Sequence, residues 1–204
     1  MKTLIEVGGY DGTDSLKFHS EGYRVFTFEP AIHLYNTIVN KTMGLENYTV
    51  IPKAVCLKDG KTQFNICRHG GASSILPFRS NDELNKYWNN RDDVHYSGIS
   101  YEVDTIRLDT FIEQQGLQHT QIDYIHIDAQ GVDLDVLKSL GKYIINVKEG
   151  VVETVNQEEK SIYIGQSENT MQHTVSFLTS NGFNVTKVES NDGQGCEYNV
   201  YFSR

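Results

Sequence analysis

No stretch of this 204-residue chain comes near the roughly 18 consecutive apolar residues that a membrane-spanning helix requires, so no membrane association is expected. A secretory leader is not expected either. Met1-Lys2-Thr3-Leu4-Ile5-Glu6 brings in an acid before the apolar region of a signal peptide can form. Cysteine is scarce: Cys56, Cys67 and Cys196 lie far apart and form no CxxC pair, which argues against both a zinc site and a disulfide framework. Positive charge is short as well, with 18 Lys and Arg against 27 Asp and Glu and no basic run. A formal net charge of −9 is the opposite of the basic footprint that a nucleic-acid partner selects. His19, His33, His69, His95, His119 and His173 show no metal-ligand spacing. Internal repeats and inter-domain linkers are lacking too. What remains is an ordinary globular composition, 38% hydrophobic with 12 Tyr and 9 Phe, sufficient for one domain over residues 1–204. The expected compartment is the cytoplasm.

Strand-like and helix-like segments alternate almost throughout, the pattern of an α/β fold. Thr3 to Val7 reads as a strand, followed by a glycine-bearing turn and a helix. Val25 to Phe28 reads as a second strand stopping on Glu29-Pro30. A helix from about Ile32 to Met43 and a third strand from Tyr48 to Val55 follow. Thr62 to Cys67 looks like a short extra strand. Residues 68–100 are polar and rich in Gly, Asn and Asp, and read as a loop insertion that covers substrate, with Tyr87 and Trp88 as contacts. Tyr101 to Leu108 restores the rhythm, with Asp109 as N-cap of the next helix. A buried strand from Ile122 to Ile127 then stops on Asp128, and another strand, Val147 to Val155, holds Glu153 near its end. A final helix and two strands around Ser190-Asn191-Asp192-Gly193 form a closing hairpin, so the last strand should run antiparallel.

The first turn carries the functional information. Dinucleotide sites use Gly-x-Gly-x-x-Gly, whereas this turn is Glu6-x-Gly8-x-x-x-Gly12, led in by an acid and followed by Asp11 and Asp14. Carboxylates would repel a pyrophosphate and attract a ligand bearing a sulfonium and an ammonium. The turn therefore reads as a loop for S-adenosylmethionine (SAM), with Glu29 placed to accept hydrogen bonds from ribose hydroxyls. The same loop is compatible with a SAM-binding module that turns nothing over. An NAD-dependent oxidoreductase is disfavoured by the missing Gly-x-Gly. Gly70-Gly71-Ala72-Ser73-Ser74-Ile75 lacks the Gly-Lys-Ser/Thr ending of a P-loop and reads as a flexible segment bordering the site.

Asp128-Ala129-Gln130-Gly131-Val132-Asp133 is the second informative stretch. Loops after the strands of a doubly wound sheet converge on one edge, which brings Asp128 beside the first strand. Gln130 offers both a donor and an acceptor to a polar substrate. His126 points to the same side of its strand as Asp128 and is a candidate base, or a packed histidine beneath the site. His69 and His95, in the insertion, are weaker candidates for substrate contact. Asp128 and Glu153 are weighed as ligands of a shared divalent cation; the assignment made is no metal.

Taken together, Ile5-Glu6-Val7-Gly8-Gly9-Tyr10-Asp11-Gly12-Thr13-Asp14-Ser15, Phe28-Glu29-Pro30, Ala54-Val55, Ser73-Ser74, Arg107-Leu108-Asp109 and Ile125 to Asp133 resemble, in order, the motifs of the FkbM-type SAM-dependent methyltransferases. Four positions depart from the commoner pattern: His126 stands for Lys, Gln130 for Glu, and Gly9-Tyr10 for Ala-Asn. The resemblance implies a single-domain, class I, Rossmann-like sheet of seven strands and methyl transfer to a hydroxyl on a sugar or another small hydroxylated metabolite. On this reading Glu6, Gly8, Gly9, Tyr10, Asp11 and Gly12 wrap the methionine portion of SAM, with Ser15 at the helix start. Glu29 and Pro30 hold the ribose, and Lys53-Ala54-Val55 border the adenine. Asp128, Gln130 and His126 orient and partly deprotonate the acceptor, Asp128 also serving the cofactor.

Overall fold

The computed structural model describes residues 1–204 apart from 69, 89, 90, 166 and 167. Strand β1 (Lys2–Val7) is buried from Thr3 to Val7 and sits in mid-sheet. Its near-continuous apolar run suits a parallel strand covered on both faces. Helix α1 (Thr13–Ser20), β2 (Tyr23–Phe28), α2 (Ile32–Thr42) and β3 (Tyr48–Ile51) follow, and β2 and β3 extend the sheet in parallel on one side of β1. The chain then leaves this sheet. β4 (Ala54–Val55), β5 (Gly60–Cys67) and β6 (Tyr96–Ile106) form a second sheet in the order β4-β6-β5.

Within the long connection from β5 to β6 lies a short helix, α3 (Asn81–Leu84), started by a capping box between Ser80 and Glu83. After α4 (Leu108–Gln114), β7 (Ile122–Ile127) returns to the other side of β1, in parallel. Then come α5 (Asp133–Ser139), β8 (Val147–Val155), α6 (Met171–Ser180), β9 (Asn184–Ser190) and β10 (Glu197–Ser203). The seven-stranded order is β3-β2-β1-β7-β8-β10-β9, with β10 antiparallel to both its neighbours. This is the expected sheet with the expected antiparallel last strand.

The order reverses at β1, where the chain first builds outward to β3 and later inserts β7 on the opposite side. Ligands of open α/β sheets bind at that crevice, beyond the carboxyl ends of the strands. The main core fills the space between sheet and helices with Ile5, Phe26, Phe28, Phe111, Ile125 and Val152 among others.

Four details differ from the sequence reading. The third strand does not run from Tyr48 to Val55: it breaks after Ile51, and Ala54–Val55 pair with β6 in the other sheet. Asp109 is not the N-cap of α4. It lies in the first turn, where both its oxygens receive the Arg107 guanidinium at 2.8 and 2.6 Å. The stretch 68–100 is not wholly loop either, since 96–100 belong to β6 and 81–84 to α3. Trp88 is no substrate contact. It is 1% exposed and packs with Leu84, Val94, Ile162, Tyr163 and Cys196, its Nε1 donating to the Lys160 carbonyl at 2.9 Å. A large ring with one donor is buried where that donor is satisfied, and here it forms the centre of a small core that ties the insertion to the segment after β8.

Candidate active site

At the carboxyl ends of β1, β2 and β7 a cavity of about 270 Å³ opens. Its walls include Glu6, Gly8, Gly9, Tyr10 and Asp11 from the first turn, and Glu29 and Pro30 from the end of β2. Ala54, His126, Asp128 and Gln130 complete the set of expected residues around it. Leu34, Phe64 and Ile75 add an apolar flank near Ala54. Leu34 and Phe64 escaped sequence reading because they come from α2 and the second sheet, whose placement no local pattern reveals, whereas Ile75 belongs to the segment expected to border the site. Gly70, Gly71 and Ser73 border the cavity as expected of that segment.

Glu29 is buried and each of its oxygens already accepts one backbone N–H, from Tyr10 at 2.8 Å and from Ala31 at 2.7 Å. A carboxylate has about four acceptor sites, so it ties down both loops and retains capacity for a ligand. Burial pushes its pKa up to about 7, against the pull of these two donors, with Glu6 and Asp128 adding repulsion. Ligand donors at this carboxylate would relieve that cost.

The glycines of the first turn are required by the chain itself as well as by any ligand. A Cβ on Gly8, whose φ is +88°, would lie 1.9 Å from the backbone oxygen of Asp128. One on Gly9 would lie 2.6 Å from Thr27 Oγ1. Tyr10 follows at φ +47°, a left-handed conformation unfavourable for a bulky residue, held by its bond to Glu29. Asp11 turns its carboxylate outward to Lys41 Nζ at 2.9 Å. The Thr13 hydroxyl and then Lys41 bring its pKa down to about 2, with the Thr13 N–H adding to them. Two expected residues do not line the cavity. Gly12 packs against Ile38, and Ser15 is buried under the helix start, where it receives the Tyr48 hydroxyl at 2.6 Å. Both brace the loop from behind.

Past Tyr10, Gly71, Asp128 and Gln130, which line both spaces, a second cavity of about 260 Å³ continues. Its walls are polar: Arg91, Asp93, Glu153, Asn191, Asp192 and Glu197 contribute. Gln130 is the keystone between the two. Its Nε2 donates to Asp128 Oδ1 at 2.6 Å and to Glu153 Oε2 at 3.0 Å, while its Oε1 accepts the Tyr163 hydroxyl at 2.6 Å. Both amide protons are therefore committed within the protein, and the amide oxygen has one of its two lone pairs engaged. The amide that the sequence offered to a substrate thus ties Asp128 to Glu153, and what it retains toward a ligand is the second lone pair of Oε1. Its amide nitrogen also lies between the two carboxylates that sequence weighed as cation ligands. Among the described residues no group of three or more His, Cys, Asp or Glu could hold a metal ion.

Asn191 donates to the other oxygen of Glu153. Burial, then the charges of Asp128 and Glu197, hold the Glu153 pKa well above the usual range. Glu197 is pushed up to about 8, first by burial and then by Asp128. Tyr163, Asn191 and Glu197 were not anticipated, since none stands at the end of a parallel strand. Asp133 explains the shape of the loop after β7. It is 1% exposed and accepts N–H bonds from Ala129 and Gly131 and a side-chain bond from Asn169. His126 lines the first cavity and not the second, with Nδ1 3.6 Å from Glu6 Oε1. His95 is buried and lines neither, and His69 falls outside the described residues.

A family model described as the methyltransferase FkbM domain matches residues 6–185. No curated protein matches the sequence significantly. Among solved structures, the fold is similar to the bifunctional kinase-methyltransferase WbdD, at 8% identity and TM-score 0.55, over 98% of this chain and 34% of that one. It is also similar to the ribosomal protein L11 methylase of Lactobacillus delbrueckii subsp. bulgaricus, at 9% identity and TM-score 0.50, over 99% and 69%. A fibrillarin/Nop5p complex matches at 12% identity and TM-score 0.50, over 100% and 72%. This chain thus spans about a third of WbdD. At these identities the likeness is one of fold, the Rossmann-like fold of SAM methyltransferases. The chain belongs to the methyltransferase FkbM domain family, and family and fold together imply a methyltransferase that uses SAM.

Proposed function

We propose that this protein transfers the methyl group of SAM to a hydroxyl of a small, hydroxylated acceptor such as a sugar. The observation that carries this reading is the pair of adjoining cavities, one built for a nucleoside and the other polar and small, which meet at Asp128 and Gln130. The first fits SAM by its own chemistry: a buried carboxylate with spare acceptor capacity, an apolar flank for a base, and acids rather than bases around the turn. Glu29 would hold the ribose. Leu34, Ala54 and Phe64 would flank the adenine. Glu6, Gly8, Tyr10 and Asp128 would surround the methionine part. When bound, SAM supplies a methyl group activated on a sulfonium.

The work of the chain is then placement. Holding the acceptor oxygen in line behind the methyl group contributes roughly 7–11 kcal/mol of barrier lowering without any strong base. Asp128, with one oxygen held by Gln130, has the other to accept the acceptor's hydroxyl proton. A cytoplasmic site of action belongs to the same reading, as does a small-molecule rather than nucleic-acid acceptor, the latter supported by the net charge of −9. Calorimetry with SAM, S-adenosylhomocysteine and NAD, followed by a panel of hydroxylated acceptors with S-adenosylhomocysteine release as readout, tests it. SAM binding with turnover on the panel supports the proposal. SAM binding with no turnover on any acceptor leaves a binding module, and binding of NAD alone would refute SAM use.

A further inference from the structure

His126 and Glu6 occupy opposed positions on the two strands that flank the switch point, in register across the β1–β7 ladder. Glu6 is 2% exposed. One of its oxygens accepts the Thr27 hydroxyl, and the other lies 3.6 Å from His126 Nδ1. Both side chains face the cofactor cavity. The charges that act most on the imidazole are acids: Glu6 from β1, Asp128 from the loop after β7 and Asp14 from α1. On its other flank β8 presents the apolar Val151 in register. Burial works against a charged ring, yet these acids outweigh it and raise the His126 pKa. The site therefore favours the protonated ring beside a buried carboxylate, in the cavity that would receive a ligand with two cationic centres.

Resting on the SAM reading above, we propose that His126 is a proton-carrying partner of Glu6 that the cationic part of SAM replaces, so that cofactor binding releases the His126 proton to solvent. One buried carboxylate meets two competing positive charges, and like charges this close in a partly buried site disfavour one another strongly. No covalent step is involved: the proton leaves the imidazole for the buffer, and the ammonium or sulfonium takes over the field of Glu6. SAM binding then weakens as the solution is made acidic. His126 is thus a positioning residue for cofactor charge on the side away from the acceptor cavity.

The test compares SAM with 5′-methylthioadenosine, which keeps the adenosine and lacks both cationic centres. Calorimetry in buffers of different ionisation enthalpy counts the protons released by each ligand between pH 5.5 and 7, where an α-ammonium with an ordinary pKa near 7.7–8 stays protonated. Glu29 contributes alike with both, because both carry the ribose, so the difference isolates the cationic end. The wild-type protein should release more protons with SAM, and the affinity for SAM relative to 5′-methylthioadenosine should fall about three- to tenfold from pH 7 to pH 5.5. In His126→Gln, shown to be folded by circular dichroism, the excess should vanish and the two affinities should run parallel with pH. Equal proton counts for the two ligands in the wild-type protein would overturn the proposal, as would an excess that survives in His126→Gln. The wild-type comparison decides alone if the variant does not fold. Failure of either ligand to bind at any pH instead refutes the SAM reading on which the proposal rests.

Discussion

Gln130 and Glu29 each do two jobs, and their variants separate those jobs. Gln130 gives both amide protons to Asp128 and Glu153 and accepts from Tyr163, so Gln130→Ala frees Asp128 and leaves two neighbouring carboxylates without their common donor. Methyl transfer should fall roughly tenfold or more, in line with about 1–3 kcal/mol for a lost buried partner, while SAM affinity changes little. Tyr163→Phe, which removes the hydroxyl shared between the Gln130 amide oxygen and the Ala72 carbonyl, should give a weaker version of the same split. Steady-state kinetics paired with SAM calorimetry reads both, and equal losses in turnover and SAM affinity would place Gln130 at the cofactor instead. Glu29→Ala should weaken SAM binding by roughly 1.5–3 kcal/mol. It should also lower the melting temperature without ligand, because Tyr10 and Ala31 lose their acceptor. Unchanged SAM affinity in a folded Glu29→Ala protein would remove the ribose assignment.

At the scale of elements, the parallel strands were legible because their signals are local: an apolar run, a stop, and an acid at the stop. Glu6, Glu29 and Asp128 could be brought to one edge on that basis. What stayed hidden depends on partners distant in sequence. Ile51 and Ala54 read as one strand, yet they join different sheets. The acceptor-side cavity is walled by Arg91 from the insertion and by Asn191 and Glu197 from the closing hairpin, residues whose own neighbourhoods carry no motif. Trp88 looked like a contact because it sits in a polar stretch, whereas it anchors that stretch. Trp88→Ala should cost about 3–5 kcal/mol, the usual loss for a fully buried large ring, and a chemical denaturation curve would show it. A loss below 1 kcal/mol would mean that the insertion is held in place by other contacts. Gly8 was legible as a special position, but for an incomplete reason. The carbonyl of Asp128 fills the space beside it, so Gly8→Val should damage folding before it can report on cofactor binding, and thermal melting of that variant must precede any affinity measurement.

The whole molecule gathers its buried acids at one edge of the sheet, and this sets an unusual dependence of stability on pH. Burial pushes Glu29 and Asp133 up to about 7 and Glu197 to about 8, and Glu153 moves in the same direction. In the unfolded chain these carboxyls return to ordinary values near 4. Between about pH 4.5 and 8 the folded protein therefore holds more protons than the unfolded one, and stability falls as pH rises. The contribution is complete below the unfolded values and disappears as each folded value is passed. His126, also raised, acts with the same sign. Asp11, lowered to about 2, acts oppositely, but only below about pH 4. The ligand-free protein should consequently melt at a higher temperature at pH 5.5 than at pH 8. Saturating SAM should do the reverse, its stabilising shift growing toward pH 8, because a cationic ligand is best received by ionised carboxylates and an unprotonated imidazole, and tighter binding to the folded state raises stability further. Melting curves from pH 5.5 to 8, with and without SAM, read both slopes. A ligand-free melting temperature that climbs steadily over that range would mean that these carboxyls are ionised and internally compensated in the folded protein, and that its acidic edge is not waiting for a positive charge.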